Sequence, residues 1–332
     1  MSAAQAGDDS AFGVLVTGYR RELQVYCYRM LGSFEDAEDM VQETFLRAWR
    51  KRSSFEGRSS FRAWLYRIAT NACLDALRRR SPRVLPPDVA AAADPHAPMS
   101  PTADLPWLQP FPDRLWTEAE RDDAEPGAIL VAKETIELAF MVAIQHLAPR
   151  QRAMLILRDV LGWSAPETAR LLDTSVDSVN SALRRARSRL RRHLPARRLE
   201  WSSGDPTREQ RLLLRRYMDA HARSDVAAFA ALLREEVRLT MPPTPTWYDG
   251  REAVVAFHAE HVFLPDIQWR FVATRANGQP AAAFYTRRRG ESEYSASVID
   301  VLRIEDGLVS RIDAFVLPRL FPAFGLPQTM GS

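Results

Sequence analysis

Residues 164–190, SAPETARLLDTSVDSVNSALRRARSRL, hold two helical patterns joined by a tight connection, and this stretch decides the fold of the middle of the chain. Ser164 and Glu167 form the capping-box pattern that opens a helix. Ser175 is placed to cap a second helix. Asp173 stands at the turn position often held by glycine, which is tolerable because aspartate adopts left-handed conformations more readily than most residues. The stretch therefore predicts a helix-turn-helix unit.

The second helix of this unit distributes its polar residues as a DNA recognition helix does. Short polar side chains occupy its first turns, and six arginines follow them. Short polar groups suit base edges in the major groove, while arginines neutralise phosphates. The residues predicted to contact DNA are Asp177, Ser178, Asn180, Ser181, Arg184, Arg185 and Arg187. An arginine run alone usually marks a solvated helix face, but its coupling to a capped helix-turn-helix favours DNA binding.

Proline and charge divide the chain into modules. Nine prolines between Ser81 and Pro112 exclude a continuous helix or sheet there, and an acidic stretch follows. A length of 332 residues allows two or three separate hydrophobic cores. The predicted segments are a helical module at 10–80, a connector at 81–129, a helix-turn-helix module at 130–195 and a third module at 207–330.

The composition is that of an ordinary globular protein, with 46% hydrophobic and 26% charged residues. No apolar run reaches the roughly 18 residues of a membrane span, and the N-terminus lacks a signal-peptide pattern. Cys27 and Cys73 lie in apolar helical patterns outside any metal-ligand spacing, which indicates buried thiols. We expect a cytoplasmic protein that binds neither a cofactor nor a metal.

The first module contains an amphipathic helix followed by an aromatic and basic one. Apolar residues recur at three- and four-residue spacing over 37–49, and a second helix is predicted over 61–79. Trp64 is expected at the edge of the core of that second helix. The side chains expected to point away from this core are Arg62, Tyr66 and Thr70. An exposed aromatic beside arginines can stack on unpaired bases, although a partly buried surface aromatic produces the same pattern.

The third module changes from helices to strands. Helical patterns over 207–223 and 225–234 precede alternating segments at 237–241, 267–273 and 294–298. Glu305-Asp306-Gly307 is a favourable hairpin turn. Helices followed by an antiparallel sheet predict an α+β domain with a concave sheet face. The predicted fold is thus multidomain, with two all-α modules and a C-terminal α+β cone.

The first two modules resemble the extracytoplasmic-function group of the sigma-70 family. The segments AEDMVQETFLRAW (37–49) and FRAWLYRIATN (61–71), with the arginines at 78–80, are similar to region two of that family. The segment at 147–187 is similar to its region four. The resemblance implies an alternative sigma factor, whose partners are core RNA polymerase and promoter DNA.

The resemblance also implies roles for individual residues of the first module. In the family, the polar face of the first helix docks on the clamp helices of the largest polymerase subunit. The matching residues here are Glu38, Asp39, Gln42, Glu43 and Arg47. The loop and helix that follow would hold the melted downstream promoter element, for which unstacking a base costs a few kcal/mol. The matching residues are Phe55, Arg58, Arg62, Trp64, Tyr66 and Asn71. The recognition helix would read the upstream element.

The C-terminal module is similar to the SnoaL-like cone fold that some of these sigma factors carry. Motifs at 241–251, 277–281 and 324–327 carry this similarity. It implies a domain that modulates sigma activity through an intramolecular contact with the sigma domains or the connector. Within the connector, Trp107 and Leu108 are either a docking site or part of an ordinary packed loop.

Free-standing cone proteins of this kind include cyclases and isomerases that use an acid or a base inside the cone. The candidate groups here are His221, Asp225, Asp249, His258, His261, Asp300 and Asp313. A candidate cavity would be lined by Trp247, Tyr248, His258 and His261. Sequence spacing does not establish catalysis, because the group must lie within hydrogen-bond reach of a substrate. His258 and His261 are more simply surface histidines, and Asp225 a helix cap. We therefore expect no enzyme.

Two alternatives stay open on the sequence. One is a one-component helix-turn-helix regulator that senses a small molecule through the cone, independently of polymerase. The other is a bifunctional protein with a cyclase- or isomerase-like C-terminal domain. The first module favours the sigma factor, because a simple regulator has no use for a clamp-binding helix followed by an aromatic and basic one.

Overall fold

A computed structural model describes residues 2–57, 60–79, 81–117, 137–193 and 207–331. The chain divides into two compact units, each made of two stretches that are separated in sequence. The first unit comprises Met1–Arg83 and Leu115–Arg198, and the second comprises Val84–Arg114 and Leu199–Ser332. Much of the predicted connector thus belongs to the C-terminal unit. Within the described ranges, none of the helices is both long and apolar enough to cross a membrane.

The N-terminal part of the first unit is helical. Its helices are α1 (Ser2–Gln5), α2 (Asp9–Thr17), α3 (Arg20–Leu31), α4 (Phe34–Arg50) and α5 (Phe61–Leu77). The Ser33 hydroxyl caps α4 by accepting a hydrogen bond from the Asp36 amide at 3.2 Å. Val41 and Ala48 are buried where α4 packs on α3 and α5. The amphipathic helix predicted over 37–49 is therefore confirmed.

The buried face of α5 is wider than the predicted one. Leu65 and Ile68 are buried as expected, but Tyr66 and Thr70 are fully buried too. The hydroxyls of Tyr26 and Thr70 lie 2.6 Å apart, and the Tyr26 and Tyr66 rings pack edge to face with centroids 5.0 Å apart. The prediction that Tyr66 and Thr70 point away from the core is wrong. Helices at 149–155 and 165–172 of the same unit also pack on α5 and cover that side.

Residues 84–114, which we call the strap, pack against the rest of the C-terminal unit, residues 199–332. The strap contains one short 3-10 turn, Pro86–Asp88, and runs into a short helix, α6 (Asp113–Thr117). Trp107, Leu108 and Phe111 are buried. The prediction that no continuous helix or sheet forms here is confirmed, and Trp107 and Leu108 belong to a packed loop.

The end of the strap is tied to the turn at Asn277-Gly278 of the C-terminal unit. The Phe111 amide donates to the Asn277 side-chain oxygen at 2.8 Å, and the Asn277 amide donates back to the Phe111 carbonyl at 2.9 Å. The Asp113 carboxylate accepts a hydrogen bond from the Gly278 amide at 2.9 Å and pairs with Arg275 at 3.1 Å. These bonds satisfy polar groups that burial would otherwise leave unpaired.

The second part of the first unit contains the helix-turn-helix. Its helices are α7 (Leu138–Gln145), α8 (Pro149–Leu155), α9 (Ala165–Leu172) and α10 (Val176–His193), with a π-helical turn at Ile156–Val160. Ser164 and Glu167 form the predicted capping box, and the Ser175 hydroxyl accepts from the Ser178 amide at 3.1 Å. Asp173 adopts the left-handed conformation with φ of 54°. The predicted helix-turn-helix is confirmed as far as residue 193, where the described range ends.

The C-terminal unit packs helices on one mixed sheet. The helices are α11 (Arg208–Ala222), α12 (Val226–Ala230) and α13 (Arg251–Phe257), and a π-helical turn, His258–Val262, extends α13. The strands are β1 (Leu233–Thr240), β2 (Trp247–Asp249), β3 (Ile267–Ala276), β4 (Gln279–Arg288), β5 (Tyr294–Glu305), β6 (Leu308–Phe315) and β7 (Thr329–Met330). The order is β2-β1-β6-β5-β4-β3, with β7 beside β5, and only the β1–β6 pair is parallel.

The strand predictions for this unit succeed where the pattern alternates. The hairpin turn forms as expected, because Asp306 and Gly307 both take the left-handed conformation, with φ of 52° and 75°. The helix predicted over 225–234 is shorter, and its C-terminal residues start β1. Sequence patterning misses β4, whose residues are buried on both faces and so show no alternation.

The core between α11, α12, α13 and the sheet encloses a few polar groups. The Tyr217 hydroxyl donates to the Asp300 carboxyl at 2.8 Å. The rings of His221 and His258 lie 5.5 Å apart, and each ring bonds a backbone carbonyl through Nδ1. Burial raises the pKa of Asp300 to about 7, and lowers the pKa of His221 to about 3 and that of His258 to about 4. Both histidines are therefore neutral near pH 7.

We expect Asp300→Asn to remove one source of pH dependence from the stability of the C-terminal unit. The folded-state pKa of about 7 lies above the ordinary value of 3.8, so the folded protein holds this proton more tightly than the unfolded chain does. The stabilisation is complete below about pH 4 and is lost as the pH rises through 7. Relative to that of the wild type, the free energy of unfolding of the variant should rise by roughly 2–4 kcal/mol as the pH goes from 4 to 8.

Denaturant unfolding at a series of pH values measures this difference. Asp219→Asn, at an exposed position on α11, is the matched control and should follow the wild-type curve. If the free energy of unfolding varied with pH in the same way for the wild type and Asp300→Asn, the raised pKa of Asp300 would be contradicted.

At the turn of the helix-turn-helix, Asp173→Gly and Asp173→Val should have different effects. The left-handed conformation suits glycine and is strained for a β-branched residue. We expect Asp173→Gly to change the free energy of unfolding by less than about 0.5 kcal/mol and Asp173→Val to lower it by about 1–2 kcal/mol. Urea unfolding checks this, and equal destabilisation by both variants would refute it.

Candidate partner and nucleic-acid surfaces

The exposed side of α4 and the C-terminal half of α5 form a groove of about 580 Å³. Four of the five residues predicted to bind polymerase line this groove: Asp39, Gln42, Glu43 and Arg47. Glu38, the fifth, is exposed beside Arg20 and Gln24 of α3 instead. The structure thus brings most of this predicted set together on one surface.

Arg47 links the two helices that form the groove. Its Nε lies 2.6 Å from Glu43 Oε1, and its Nη1 lies 3.1 Å from Asp75 Oδ2 on α5. The hydrogen bond that Arg47 donates to Glu43 is the main reason why the pKa of Arg47 is raised. Exposed ion pairs of this kind contribute about 0–1 kcal/mol, so their main effect is to orient the guanidinium.

Sequence reasoning missed two features of the groove. Asp75 lies on a different helix, and only tertiary packing places it beside α4. Leu46 is 43% exposed and Met40 is half-buried, so the groove has apolar surface among its charges. An exposed leucine on a polar helix face was the available signal for this apolar part.

The residues predicted to hold melted DNA do not all lie on one surface. Phe55, Phe61 and Trp64 form a partly exposed aromatic cluster, in which the Trp64 centroid lies 5.4 Å from that of Phe55 and 5.6 Å from that of Phe61. Asn71 is exposed further along α5. Arg58 lies outside the described residues. This cluster offers ring edges and faces on which unpaired bases can stack.

The other two residues of this set, Arg62 and Tyr66, are engaged within the protein. The Arg62 Nε lies 3.0 Å from a carboxylate oxygen of Glu22 on α3, and the guanidinium stands 5.1 Å from the centre of the Tyr66 ring. Burial raises the pKa of Tyr66. The Tyr66 ring packs against Trp163, with centroids 5.2 Å apart. Contrary to the prediction, Tyr66 is not available to a base in this arrangement.

The outer side of α10 carries the residues predicted to contact DNA. Those exposed are Asp177, Ser178, Asn180, Arg184, Arg185 and Arg187, while Ser181 is half-buried. Val179 and Leu183 are buried on the opposite side of α10, which packs on α9. Arg187 also pairs with Asp159, with its Nε 2.9 Å from one carboxylate oxygen. The first turns of α10 are therefore accessible to base edges, as a recognition helix requires.

The four residues predicted to line a C-terminal cavity lie in two different environments. Tyr248 and His258 are part of the buried core, where the Tyr248 ring stacks on Phe257 at 4.5 Å. His258 is only 4% exposed. The interpretation of His258 as a surface histidine is wrong, because its ring packs against His221 of α11 and Phe229 of α12.

Trp247 and His261, the other two, contact the strap. The Trp247 indole donates to the Ala90 carbonyl at 2.9 Å, and the Ala93 amide donates to the Trp247 carbonyl at 2.8 Å. His261 Nε2 lies 3.2 Å from the Pro95 carbonyl oxygen. These two residues hold the strap.

Three of the candidate acid or base groups have structural partners. Asp225 caps α12 by accepting from the Ala228 amide at 2.9 Å, as expected. Asp249 pairs with Arg238 at 3.2 Å. Asp313 accepts a hydrogen bond from Thr240 at 2.7 Å. These contacts give each of the three carboxylates a structural role in the C-terminal unit.

Comparison with known families divides the chain along similar lines. Residues 15–83 match the model for Sigma-70 region 2, and residues 137–190 match that for Sigma-70 region 4. Residues 214–312 match the model for the SnoaL-like domain. We use region two and region four for the first two ranges below.

Two named sigma factors illustrate the similarity. The ECF RNA polymerase sigma factor SigG of Mycobacterium tuberculosis is 42% identical over 314 residues, which cover 94% of this chain and 83% of SigG. The ECF RNA polymerase sigma factor SigW of Bacillus subtilis is 30% identical over 189 residues, which cover 57% of this chain and 91% of SigW.

Among solved structures, the extracytoplasmic function sigma factor SigJ of Mycobacterium tuberculosis shares the fold. It aligns with a TM-score of 0.55 at 23% identity, over 93% of this chain and 97% of that chain. The match to SigG along nearly the whole chain, together with both sigma-70 regions, shows that this chain belongs to the extracytoplasmic-function family of RNA polymerase sigma factors.

Proposed function

We propose that this chain brings core RNA polymerase to a particular set of promoters and helps to open them, using the α4–α5 groove for polymerase and α10 for DNA. Sigma factors are transcription initiation subunits and not enzymes. The observation that carries the proposal is the groove, which a one-component DNA-binding regulator does not need. Because its partner is the polymerase, the protein would work in the cytoplasm.

The groove has the composition of a protein-binding surface. Met40 and Leu46 supply apolar area, and Asp39, Glu43 and Arg47 supply charges. Protein interfaces combine apolar contacts with charges, and the charges set orientation and association rate. The clamp helices of the largest polymerase subunit are the proposed partner, as in the family.

The DNA-binding residues divide into two groups. On α10, the exposed Ser178 and Asn180 would reach base edges of the upstream element, and the exposed Arg184 would contact phosphates. In region two, the aromatic cluster around Trp64 and the exposed Asn71 would hold unpaired bases of the downstream element. Apart from Phe55, which lies in the connection before α5, these residues are on helices, which position such contacts more accurately than loops do.

The C-terminal unit would act as a regulatory domain through the strap. The strap is also the chain that follows region two and leads toward region four. Its 31 residues could span roughly 100 Å if they were extended, but they are held on the C-terminal unit. Release of the strap would therefore change how far region four can move from region two. The structural partners of Asp225, Asp249 and Asp313 give no support to a catalytic role.

Charge reversal in the groove should strongly reduce transcription. We expect the double variant Asp39→Lys, Glu43→Lys to give at least roughly tenfold less run-off transcript with purified core polymerase on genomic fragments. The reason is that positive side chains would replace the negative ones that face the clamp helices in the proposed complex. Binding of α10 to duplex promoter DNA should not change. The matched control is Glu209→Lys, Asp219→Lys, which makes the same charge change on α11.

Equal activity of the groove variant and the control would contradict the proposed polymerase surface. Specific DNA binding by the wild type with no transcripts in any assay would favour the one-component regulator instead.

Release of the strap should change transcription without a change in promoter choice. Asn277→Ala removes the acceptor for the Phe111 amide, so the end of the strap should become accessible to limited proteolysis. We expect at least a roughly threefold change in transcript amount, since a weakened contact of about 1–2 kcal/mol shifts the population of bound strap. Asn277→Asp keeps an acceptor and serves as the control. Faster proteolysis with unchanged transcription would refute a regulatory role of the strap.

A further inference from the structure

We propose that residues 2–14, which we call the N-terminal brace, hold the chain that follows α4 in the shape that binds unpaired DNA bases, with Gln5 as the positioning residue. The brace precedes the part of the chain that matches Sigma-70 region 2, which begins at residue 15. The inference rests on the proposed role of Phe55 in holding the melted downstream element. It adds to that site residues that would act through Phe55 and not by touching DNA.

The second helix of the brace is anchored on the C-terminal end of α4. Phe12 of α2 is 7% exposed, and its ring centroid lies 5.1 Å from that of Trp49. The Arg52 guanidinium lies 3.9 Å from the centre of the same Trp49 ring, and its Nη1 donates to the Trp49 carbonyl at 3.0 Å. Aromatic and cation–π pairs favour particular geometries, so Trp49 joins α2 to residues 51–57, which we call the connection, in a defined way.

The first helix of the brace reaches the connection itself. α1 packs on the 3-10 turn Arg52–Ser54, and Ala4 is 1% exposed. The Gln5 side-chain amide donates to the Phe55 carbonyl at 2.7 Å. Gly7, between α1 and α2, has φ of 101°, a conformation that glycine adopts without the strain that other residues incur. This turn allows α1 to lie against the connection while α2 stays on α4.

Short-range bonds shape the connection locally. The Ser54 amide donates to the Lys51 carbonyl at 2.9 Å, and the Phe55 amide donates to the Arg52 carbonyl at 3.3 Å. Bonds of this range fix a turn, but they do not fix where that turn lies on the neighbouring helices. The bond from Gln5 joins residues that are 50 positions apart. It therefore fixes the Phe55 backbone relative to the rest of the helical module.

The Phe55 side chain belongs to the aromatic cluster that is the proposed base-binding surface. Its ring centroid lies 5.7 Å from that of Phe61 and 5.4 Å from that of Trp64. A residue that becomes ordered only when its ligand binds loses conformational entropy, and this loss weakens binding. Because the brace has already fixed the backbone of Phe55, it should strengthen the binding of unpaired bases.

The test measures binding of promoter DNA by the holoenzyme, the complex of the full chain with core polymerase. The probe is a fluorescent fork-junction DNA from a promoter found in the run-off assay, with the upstream element in duplex form and the downstream element single-stranded. Gln5→Met keeps the length of the side chain and removes the donor. We expect its holoenzyme to bind this probe roughly three- to tenfold more weakly than the wild type, as loss of one hydrogen bond predicts.

The matched control makes the same substitution at a similar bond in the C-terminal unit. The Gln328 side-chain amide donates to the Pro318 carbonyl at 3.1 Å. Gln328→Met should bind the fork-junction probe as the wild type does.

Two further measurements distinguish positioning of the connection from a general loss of structure. Affinity for core polymerase and binding of a duplex probe that ends before the downstream element should be unchanged in Gln5→Met, because the groove and α10 are not altered. Hydrogen exchange of the amides at 52–57 should become faster, because the brace no longer holds them. If circular dichroism shows that Gln5→Met has lost helix, deletion of residues 2–7 takes its place in every measurement.

The outcomes separate this inference from the proposed function. Trp64→Ala alters the aromatic cluster directly and should weaken binding of the fork-junction probe even if the brace has no role. Weaker binding by Trp64→Ala, with unchanged or tighter binding by Gln5→Met, would overturn the brace and leave the proposed function standing. Unchanged binding by both variants would overturn the proposed base-binding surface and the brace with it. Equal weakening of the fork-junction and duplex probes by Gln5→Met would also refute the inference, since it would indicate a general loss of DNA affinity.

Discussion

The burial of α5 between other helices of region two and helices of region four is the constraint on which the first unit depends. Thr70 bonds Tyr26 within region two, while Tyr66 fills the space between Tyr26 and Trp163 of region four. A helix covered on several sides has little surface left for ligands. The residues predicted to hold the downstream element are consequently divided between the partly exposed cluster around Trp64, the buried Tyr66, and Arg62, which is paired with Glu22.

The C-terminal unit depends in a similar way on a segment from outside its own contiguous sequence. Buried polar groups need partners, and the strap supplies them: the Phe111 amide meets Asn277, and the Ala90 carbonyl meets Trp247. The cone and the connector are therefore one structural unit. An appended domain that includes the connector of a sigma factor is well placed to influence that sigma factor.

Charge has different effects on the two exposed surfaces of the first unit. In the groove, Arg47 is oriented by Glu43 and Asp75, so the surface presents a fixed pattern of both signs. On α10, arginines follow short polar residues, so the surface is positive at one end and suited to base edges at the other. The first pattern suits a protein partner and the second suits DNA.

The sequence by itself determined the elements whose signals are local. The capping box at Ser164, the left-handed Asp173 and the hairpin at Asp306-Gly307 involve residues at most a few positions apart, so the sequence predicts them directly. Only the tertiary structure decided that Tyr66 and His258 are buried. Helical periodicity shows which residues share a face, but it does not show how many neighbours cover that face. The number of such neighbours depends on contacts between residues that are far apart in the chain.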